Sequence, residues 1–110
     1  MKNGRPFHVH IIDKDGYIIR STLTPDQNIT KKEVIGTYVG EHINEEDVLC
    51  FLDKIKLCLE STGVEICTYS VQGSSFLCRM QKVSNNRIKM HDYKIDGLST
   101  MEIIDMMNKI

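Results

Sequence analysis

Two histidines near the start of the chain are the residues best placed for metal chemistry. His8 and His10 are two positions apart, and in a β-strand this spacing places both side chains on the same face. Imidazole is a common metal ligand, so the two rings could chelate an ion, with His91 as a third ligand from a neighbouring strand. We favour a simpler interpretation, in which His8 and His10 belong to an exposed polar strand face and bind no metal.

The four cysteines do not form a metal or redox motif. No two of them make a C-x-x-C pair, and a structural zinc site requires closer spacing. In a reducing compartment such thiols stay free and behave as small apolar side chains. We therefore expect four unpaired packing residues, which are Cys50, Cys58, Cys67 and Cys78.

The sequence contains no pattern that predicts catalysis. It has no glycine-rich phosphate loop, and no nucleophile is paired with a base at a diagnostic spacing. We therefore expect a domain that is not itself an enzyme. A small α+β enzyme remains an alternative, which clustered groups with shifted pKa values in one cleft would support.

Length and charge restrict the functional classes further. The chain has 110 residues, a net charge of −1 and no basic stripe, which argues against direct binding of nucleic acid. No apolar run approaches the ~20 residues of a membrane span, and residues 1–6 lack the apolar segment of a secretory signal. The sequence predicts one cytoplasmic domain with no membrane segment.

A β-hairpin is predicted at the beginning of the chain. An alternating segment carries Phe7, Val9 and Ile11 on one side, and a second β-rich segment follows at residues 17–20. The Asp-Gly pair that ends at Gly16 is a strong turn signal, because glycine tolerates the positive φ that tight hairpin turns require.

The clearest helix lies in the middle of the chain. Asn44 is its predicted N-cap, and the three acidic residues that follow suit the positive end of the helix dipole. Gly63 is the predicted C-terminal cap. Apolar residues recur at three- and four-residue spacing between these ends and form one stripe. The stripe consists of Val48, Phe51, Leu52, Ile55, Cys58 and Leu59.

Three strands and a terminal helix complete the pattern. Residues 64–71, 75–83 and 87–95 alternate and are joined by short turns, which is typical of antiparallel neighbours. Ser99 and Glu102 match a capping box. Helices grouped between antiparallel strands indicate an α+β fold with the helices on one face of the sheet. The apolar stripe of the terminal helix consists of Ile103, Met106, Met107 and Ile110.

The order and spacing of these elements resemble those of PAS domains. The matching pieces are the turn Asp13-Lys14-Asp15-Gly16, the step Val34-Ile35-Gly36, the helix start Ile43-Asn44-Glu45-Glu46-Asp47, the exit Ser61-Thr62-Gly63 and the three closing strands. The resemblance extends over residues 7–95. It implies a five-stranded antiparallel sheet in the order 2-1-5-4-3, with helices across one face enclosing a small cavity. It divides the chain into a sensor domain, residues 1–97, and a C-terminal linker or signalling helix, residues 98–110.

The resemblance also implies a function. PAS domains are sensor or signal-transfer modules of larger signalling proteins, such as the histidine kinases of two-component systems. A cue in the cavity changes an attached effector domain or a dimer partner, so we expect a homodimer, an effector and a small-molecule ligand as partners. A structural dimerisation module without any ligand is the alternative.

Apolar residues on the predicted inner faces are candidates for a ligand pocket. Methionine and cysteine suit an adaptable apolar pocket, although an ordinary filled core is the interpretation we favour. The candidates are Phe51, Ile55, Ile66, Phe76, Cys78, Met80, Ile88 and Met90.

The sequence requires no cofactor. Flavin-binding light sensors of the PAS family carry a cysteine before the long helix, and residues 36–42 contain none, so the resemblance does not support a flavin adduct. Haem-binding members place an axial histidine in or beside that helix. His42 precedes the helix and is therefore the candidate for a haem or ligand contact, although a plain loop histidine is the interpretation we favour.

Overall fold

The computed structural model describes residues 7–28 and 31–110. Within these ranges the chain forms strands and helices in the order expected from the sequence. A short 3-10 helix at Val39–Glu41 precedes the first α-helix, and a π-helical turn at Cys58–Thr62 extends it. The principal elements are β1 (His8–Asp13), β2 (Ile18–Ser21), α1 (Glu45–Leu57), β3 (Val64–Val71), β4 (Ser74–Ser84), β5 (Arg87–Lys94) and α2 (Thr100–Lys109).

The strands form one sheet in the order β2-β1-β5-β4-β3. Every neighbouring pair is antiparallel, so the α+β fold and the strand order implied by the resemblance are confirmed. The first strand, β1, lies beside the last strand, β5, at the centre of the sheet. No helix in the part of the chain that the structure describes is long and apolar enough to cross a bilayer.

The β1–β2 turn forms as the Asp-Gly signal predicts. Oδ1 of Asp13 accepts hydrogen bonds from the backbone N–H groups of Asp15 and Tyr17, each at 2.9 Å. Gly16 has a φ of 90°, a backbone conformation that residues with a Cβ atom rarely adopt. The turn therefore depends on local residues and is readable from the sequence.

The predicted faces of β1 are wrong. His8 and His10 are buried, at 8% and 7% exposure, and they alternate with the half-buried Val9 and Ile11. Phe7, expected on the apolar side, is 51% exposed. The predicted alternation of side chains along β1 is correct, but alternation alone does not determine which face of the strand is covered. Here the face that carries the imidazoles lines a cavity beneath the segment that precedes α1, and His10 is paired there with Ser21 of β2 and Asp92 of β5.

α1 covers the inner face of the sheet and closes the main core. Phe51 and Ile55 are each 1% exposed, as the apolar stripe predicts. Asn44 occupies the N-cap position but makes no side-chain capping bond. The start of the helix is instead fixed to β3, because Oδ2 of Asp47 accepts a hydrogen bond from the N–H of Ser70 at 2.9 Å. Gly63 ends the π-helical turn in the left-handed conformation, with a φ of 74°.

α2 packs on the opposite face of the sheet from α1. Its capping box is confirmed, since Ser99 and Glu102 exchange side-chain to backbone hydrogen bonds of 3.1 and 3.0 Å. Met106 is 2% exposed and joins a second core with Leu77 and Tyr93. α1 and α2 do not share one face as the sequence pattern suggested, because Leu77 on β4 and Tyr93 on β5 form a local apolar patch on the outer face that α2 covers.

Candidate functional site

A cavity of about 140 Å³ lies between the inner face of the sheet and the segment that precedes α1. It is similar in volume to engineered protein cavities of roughly 150 Å³ that bind benzene, so it suits a ligand with a single small ring. All five strands and the segment between β2 and α1 contribute to the wall. The apolar lining residues are Phe7, Ile18, Leu23, Val34, Val39, Ile43, Tyr69, Val71, Phe76 and Met90, and the polar ones are His8, His10, Gln27, Asn28, His42, Asp92 and Lys94.

A buried polar network lies along this wall. Asp92 is central to it and its side chain is 1% exposed. Oδ2 of Asp92 accepts a hydrogen bond from the hydroxyl of Tyr69 at 2.5 Å and lies 3.2 Å from Nε2 of His10. Nδ1 of His10 is in turn 2.7 Å from Oγ of Ser21. Residues from three other strands, β1, β2 and β3, therefore hold this carboxylate of β5 in place.

One proton on His10 satisfies both of its contacts. The hydroxyl of Ser21 accepts the N–H of Leu23 at 2.9 Å and can donate its own proton to Nδ1 of His10. The Nε2–H group then donates to Asp92. This arrangement orients the imidazole toward the carboxylate of Asp92.

The network contains the residue types of a Ser-His-Asp triad but not its function. In the hydrolytic triad the serine is free to attack a substrate beside the site. Ser21 instead accepts a backbone N–H and is not among the described side chains that line the cavity. Its role here is to orient His10.

Two further imidazoles line the cavity and are uncharged at neutral pH. Burial lowers the pKa of His8, and the neighbouring His10 lowers it further, although Asp92 partly raises it. Burial also lowers the pKa of His42, against a raising effect of Glu41. Because a buried charge is costly, the neutral form dominates at both positions near pH 7.

The hydrogen bonds of His42 restrict its role as a ligand. The hydroxyl of Thr37 donates to the carbonyl oxygen of Val34 at 2.5 Å, so the contact of 2.6 Å between that hydroxyl and Nε2 of His42 uses the imidazole proton. Nε2 is therefore a donor and has no lone pair for iron. His42 lines the cavity as the sequence analysis expected of a ligand contact, but the cavity has the volume of one small ring, and haem is several times larger.

The predicted pocket residues separate into three groups. Phe76 and Met90 line the cavity. Ile66 lies on the other face of the sheet, against the core beneath α2, so its predicted placement is wrong. A one-residue difference in register reverses the faces of a strand, and on β3 the inward residues are Cys67 and Tyr69. The remaining candidates pack in the filled core around α1, and they are Phe51, Ile55, Cys78, Met80 and Ile88.

The structure does not assemble the metal site considered for the histidines. His91 pairs across the sheet with Val9, on the face opposite to His8 and His10. No group of three or more metal-ligating side chains occurs within residues 7–28 and 31–110. The cysteines of this part of the chain are free, and Cys50 is exposed. Burial, contact with Cys67 and the charge of Asp92 raise the pKa of Cys78, so that thiol is poorly reactive.

Sequence reasoning missed Asp92 and Tyr69, which carry the polar chemistry of the cavity. A signal for Asp92 was present, because it is in phase with the buried Ile88 and Met90 on β5. An acidic residue at such a position must find partners when it is buried. Its partner Tyr69 lies on β3, and only the assembled sheet brings the two together.

Replacing Tyr69 with phenylalanine should destabilise the protein by about 1–3 kcal/mol, because the buried Oδ2 of Asp92 then loses a donor. Urea denaturation followed by circular dichroism measures the change. Tyr93→Phe is the matched control, since the Tyr93 hydroxyl has no hydrogen-bond partner among the described residues, and we expect a change within about 0.5 kcal/mol. Equal effects of the two substitutions would contradict the importance of the Tyr69–Asp92 contact.

Stability should decrease as the pH falls from about 7.5 to 5.5. The folded protein holds the pKa of His8 and His42 below the ordinary value of about 6.5, and burial likewise lowers that of His91. The unfolded chain therefore binds more protons in the range below pH 6.5, and acid favours unfolding. Thermal melting at three pH values measures the effect. The His8→Gln variant should show a weaker pH dependence, and a Tm that does not change with pH would contradict the prediction.

Solved structures share this architecture, although their sequences are dissimilar. No protein-family model matches the sequence, and no curated protein matches it either.

Three solved structures match the fold of this chain. A domain of an HTR-like protein from Haloarcula marismortui has a TM-score of 0.63 and 12% sequence identity, over 80% of this chain and 96% of the other. The PAS-B domain of Drosophila melanogaster Cycle, with bound ethylene glycol, has a TM-score of 0.61 and 10% identity, over 80% and 99% of the two chains. The sensor region of a sensor histidine kinase has a TM-score of 0.58 and 12% identity, over 84% of this chain and 41% of that one.

Proposed function

We propose that this chain, which has the PAS fold, is a sensor domain of a larger cytoplasmic signalling protein and that a small molecule occupies its cavity. The observation that carries the proposal is the cavity of about 140 Å³, with apolar walls and one buried, hydrogen-bonded carboxylate at Asp92. Binding sites of this kind combine apolar walls with a few placed polar groups. The structural neighbours, which include the sensor region of a histidine kinase, favour the same class of function.

The central strand β5 offers a route from the cavity to the terminal helix. Asp92 faces the cavity, and the next residue, Tyr93, packs in the core beneath α2. A ligand that displaces Asp92 would therefore shift the surface on which α2 lies. We propose that α2, within residues 98–110, passes this change to an attached effector such as a histidine kinase. The domain itself is not an enzyme in this proposal.

A ligand screen tests the proposal directly. Native mass spectrometry of the purified protein, followed by thermal melting against a library of small ring compounds, should reveal a bound mass or a rise in Tm. The variant Val34→Phe fills the cavity from a lining position and should abolish both signals. Val83→Phe, at a position 51% exposed on β4, is the matched control. Absence of any bound mass and any Tm rise across the library would refute the proposal.

The outer surface of α2 favours a second candidate, a structural dimerisation module. Met101, Ile104 and Met107 are 74%, 46% and 41% exposed, and together they leave an apolar surface without a cover. We propose that a second copy of the chain packs there, with or without a ligand in the cavity. Sedimentation should show a concentration-dependent dimer that Ile104→Glu disrupts. A monomer at all concentrations would exclude this role for the isolated chain.

A further inference from the structure

We propose that the ligand of this cavity is a small organic cation, a primary amine on a body of about one ring, whose ammonium group binds Asp92. This inference rests on the proposed sensor function and specifies its ligand class. It depends on three properties of the cavity: a carboxylate oxygen without a hydrogen-bond partner, the burial of that acidic side chain, and aromatic walls.

The carboxylate of Asp92 has an open acceptor. The contacts from Tyr69 and His10 are both made to Oδ2. The thiol of Cys78, which is paired with Asp92 across the sheet, is a weak donor to the same carboxylate. Oδ1 is buried and has no hydrogen-bond partner among the described residues. Buried polar atoms are nearly always paired, so an exception requires an explanation. Because Asp92 lines the cavity, a donor on the ligand would supply the missing hydrogen bond.

Among the described residues, His10 is the one basic side chain within ion-pair distance of Asp92. Burial lowers the pKa of His8 and of His42, which favours their uncharged forms. Lys94 also lines the cavity, and its ammonium group lies 5.6 Å from the centroid of the Phe7 ring. Its Nζ lies 4.0 Å from Oδ2 of Asp96. A cationic ligand would balance the buried charge, whereas an anionic one would add to it.

Aromatic rings provide a complementary surface for such a cation. Tyr69 and Phe76 stack with a centroid distance of 5.5 Å, and Phe7 continues the row at 6.2 Å from Phe76. All three line the cavity. Aromatic faces attract cations and also accept the apolar body of a ligand. The volume of about 140 Å³ limits that body to about the size of benzene.

Four probes that share one phenyl ring and are similar in size separate the effect of charge from that of size. We would titrate the full chain with benzylamine, benzyl alcohol, toluene and benzoate at pH 7.5 and follow binding by NMR chemical shifts. Benzylamine should bind at least about 10-fold more tightly than benzyl alcohol or toluene, which corresponds to about the effect of one charged hydrogen bond. Benzoate should bind most weakly.

A charge-removing variant then assigns the selectivity to one residue. Asp92→Asn keeps the shape and should reduce the affinity for benzylamine about 10-fold or more while leaving that for benzyl alcohol within about 3-fold. Asp53→Asn, an exposed acidic position on α1, is the control and should change neither. If Asp92→Asn fails to fold, the order of the four probes on the natural sequence still decides the question.

The outcomes distinguish this inference from the function on which it rests. Equal or tighter binding of benzyl alcohol, toluene or benzoate would overturn the cation assignment and support the sensor cavity. If none of the four probes binds, the inference is overturned. The sensor function then fails as well only if the ligand screen with the Val34→Phe control also finds nothing.

Discussion

Replacing Phe51 with alanine should lower the free energy of unfolding by about 3–5 kcal/mol. The side chain is 1% exposed at the centre of the face by which α1 covers the sheet. Its ring meets that of Tyr69 edge to face, with a centroid distance of 5.4 Å and an interplanar angle of 85°. Alanine would remove these contacts and leave a cavity that close-packed neighbours cannot fill. The loss is a large share of the 5–15 kcal/mol that typically stabilises a domain.

Urea denaturation of the Phe51 variant measures this effect, and the same helix provides its control. Leu49 is 77% exposed, so Leu49→Ala should change the free energy of unfolding by no more than about 0.5 kcal/mol. Helix propensity contributes little to this control, because leucine and alanine are both good helix formers. A loss below about 1 kcal/mol for Phe51→Ala would mean that α1 does not close the core as the structure describes.

Truncation after Asp96 should destabilise the domain by about 3 kcal/mol or more. It removes α2, whose Met106 is 2% exposed, and uncovers Leu77, which is 0% exposed. Burial of one such side chain contributes about 1.5–3 kcal/mol, and Tyr93 would lose its cover as well. The sequence left two roles open for this helix, packing on its own sheet or pairing in a dimer. The structure shows the first, and the exposed outer surface leaves room for the second.

Thermal melting and sedimentation of the truncated chain test the two roles separately. Met106→Ala should reproduce most of the loss of stability, at about 2–5 kcal/mol. Met101→Ala, at a position 74% exposed on the same helix, should leave stability unchanged within about 0.5 kcal/mol. A truncated chain with unaltered stability and unaltered association would rule out both roles.

The local features of this fold were determined by the sequence itself. The turn at Gly16, the apolar stripe of α1 through Phe51 and the capping box at Ser99 all formed as predicted. Each depends on residues within about four positions of one another, so their conformational preferences do not need the rest of the chain. The strand order was also correct, but it came from the resemblance to PAS domains and not from the alternation of residues.

The chemistry of the cavity was decided by tertiary structure alone. Alternation placed His8 and His10 on one face of β1 and Ile66 on one face of β3, but it could not say which face the helices would cover. That choice depends on strand register and on contacts between residues far apart in sequence. Tyr69 and Asp92 are 23 positions apart and meet through a single hydrogen bond of 2.5 Å. Such a contact exists only after the sheet has assembled, because nothing local in either strand specifies its partner.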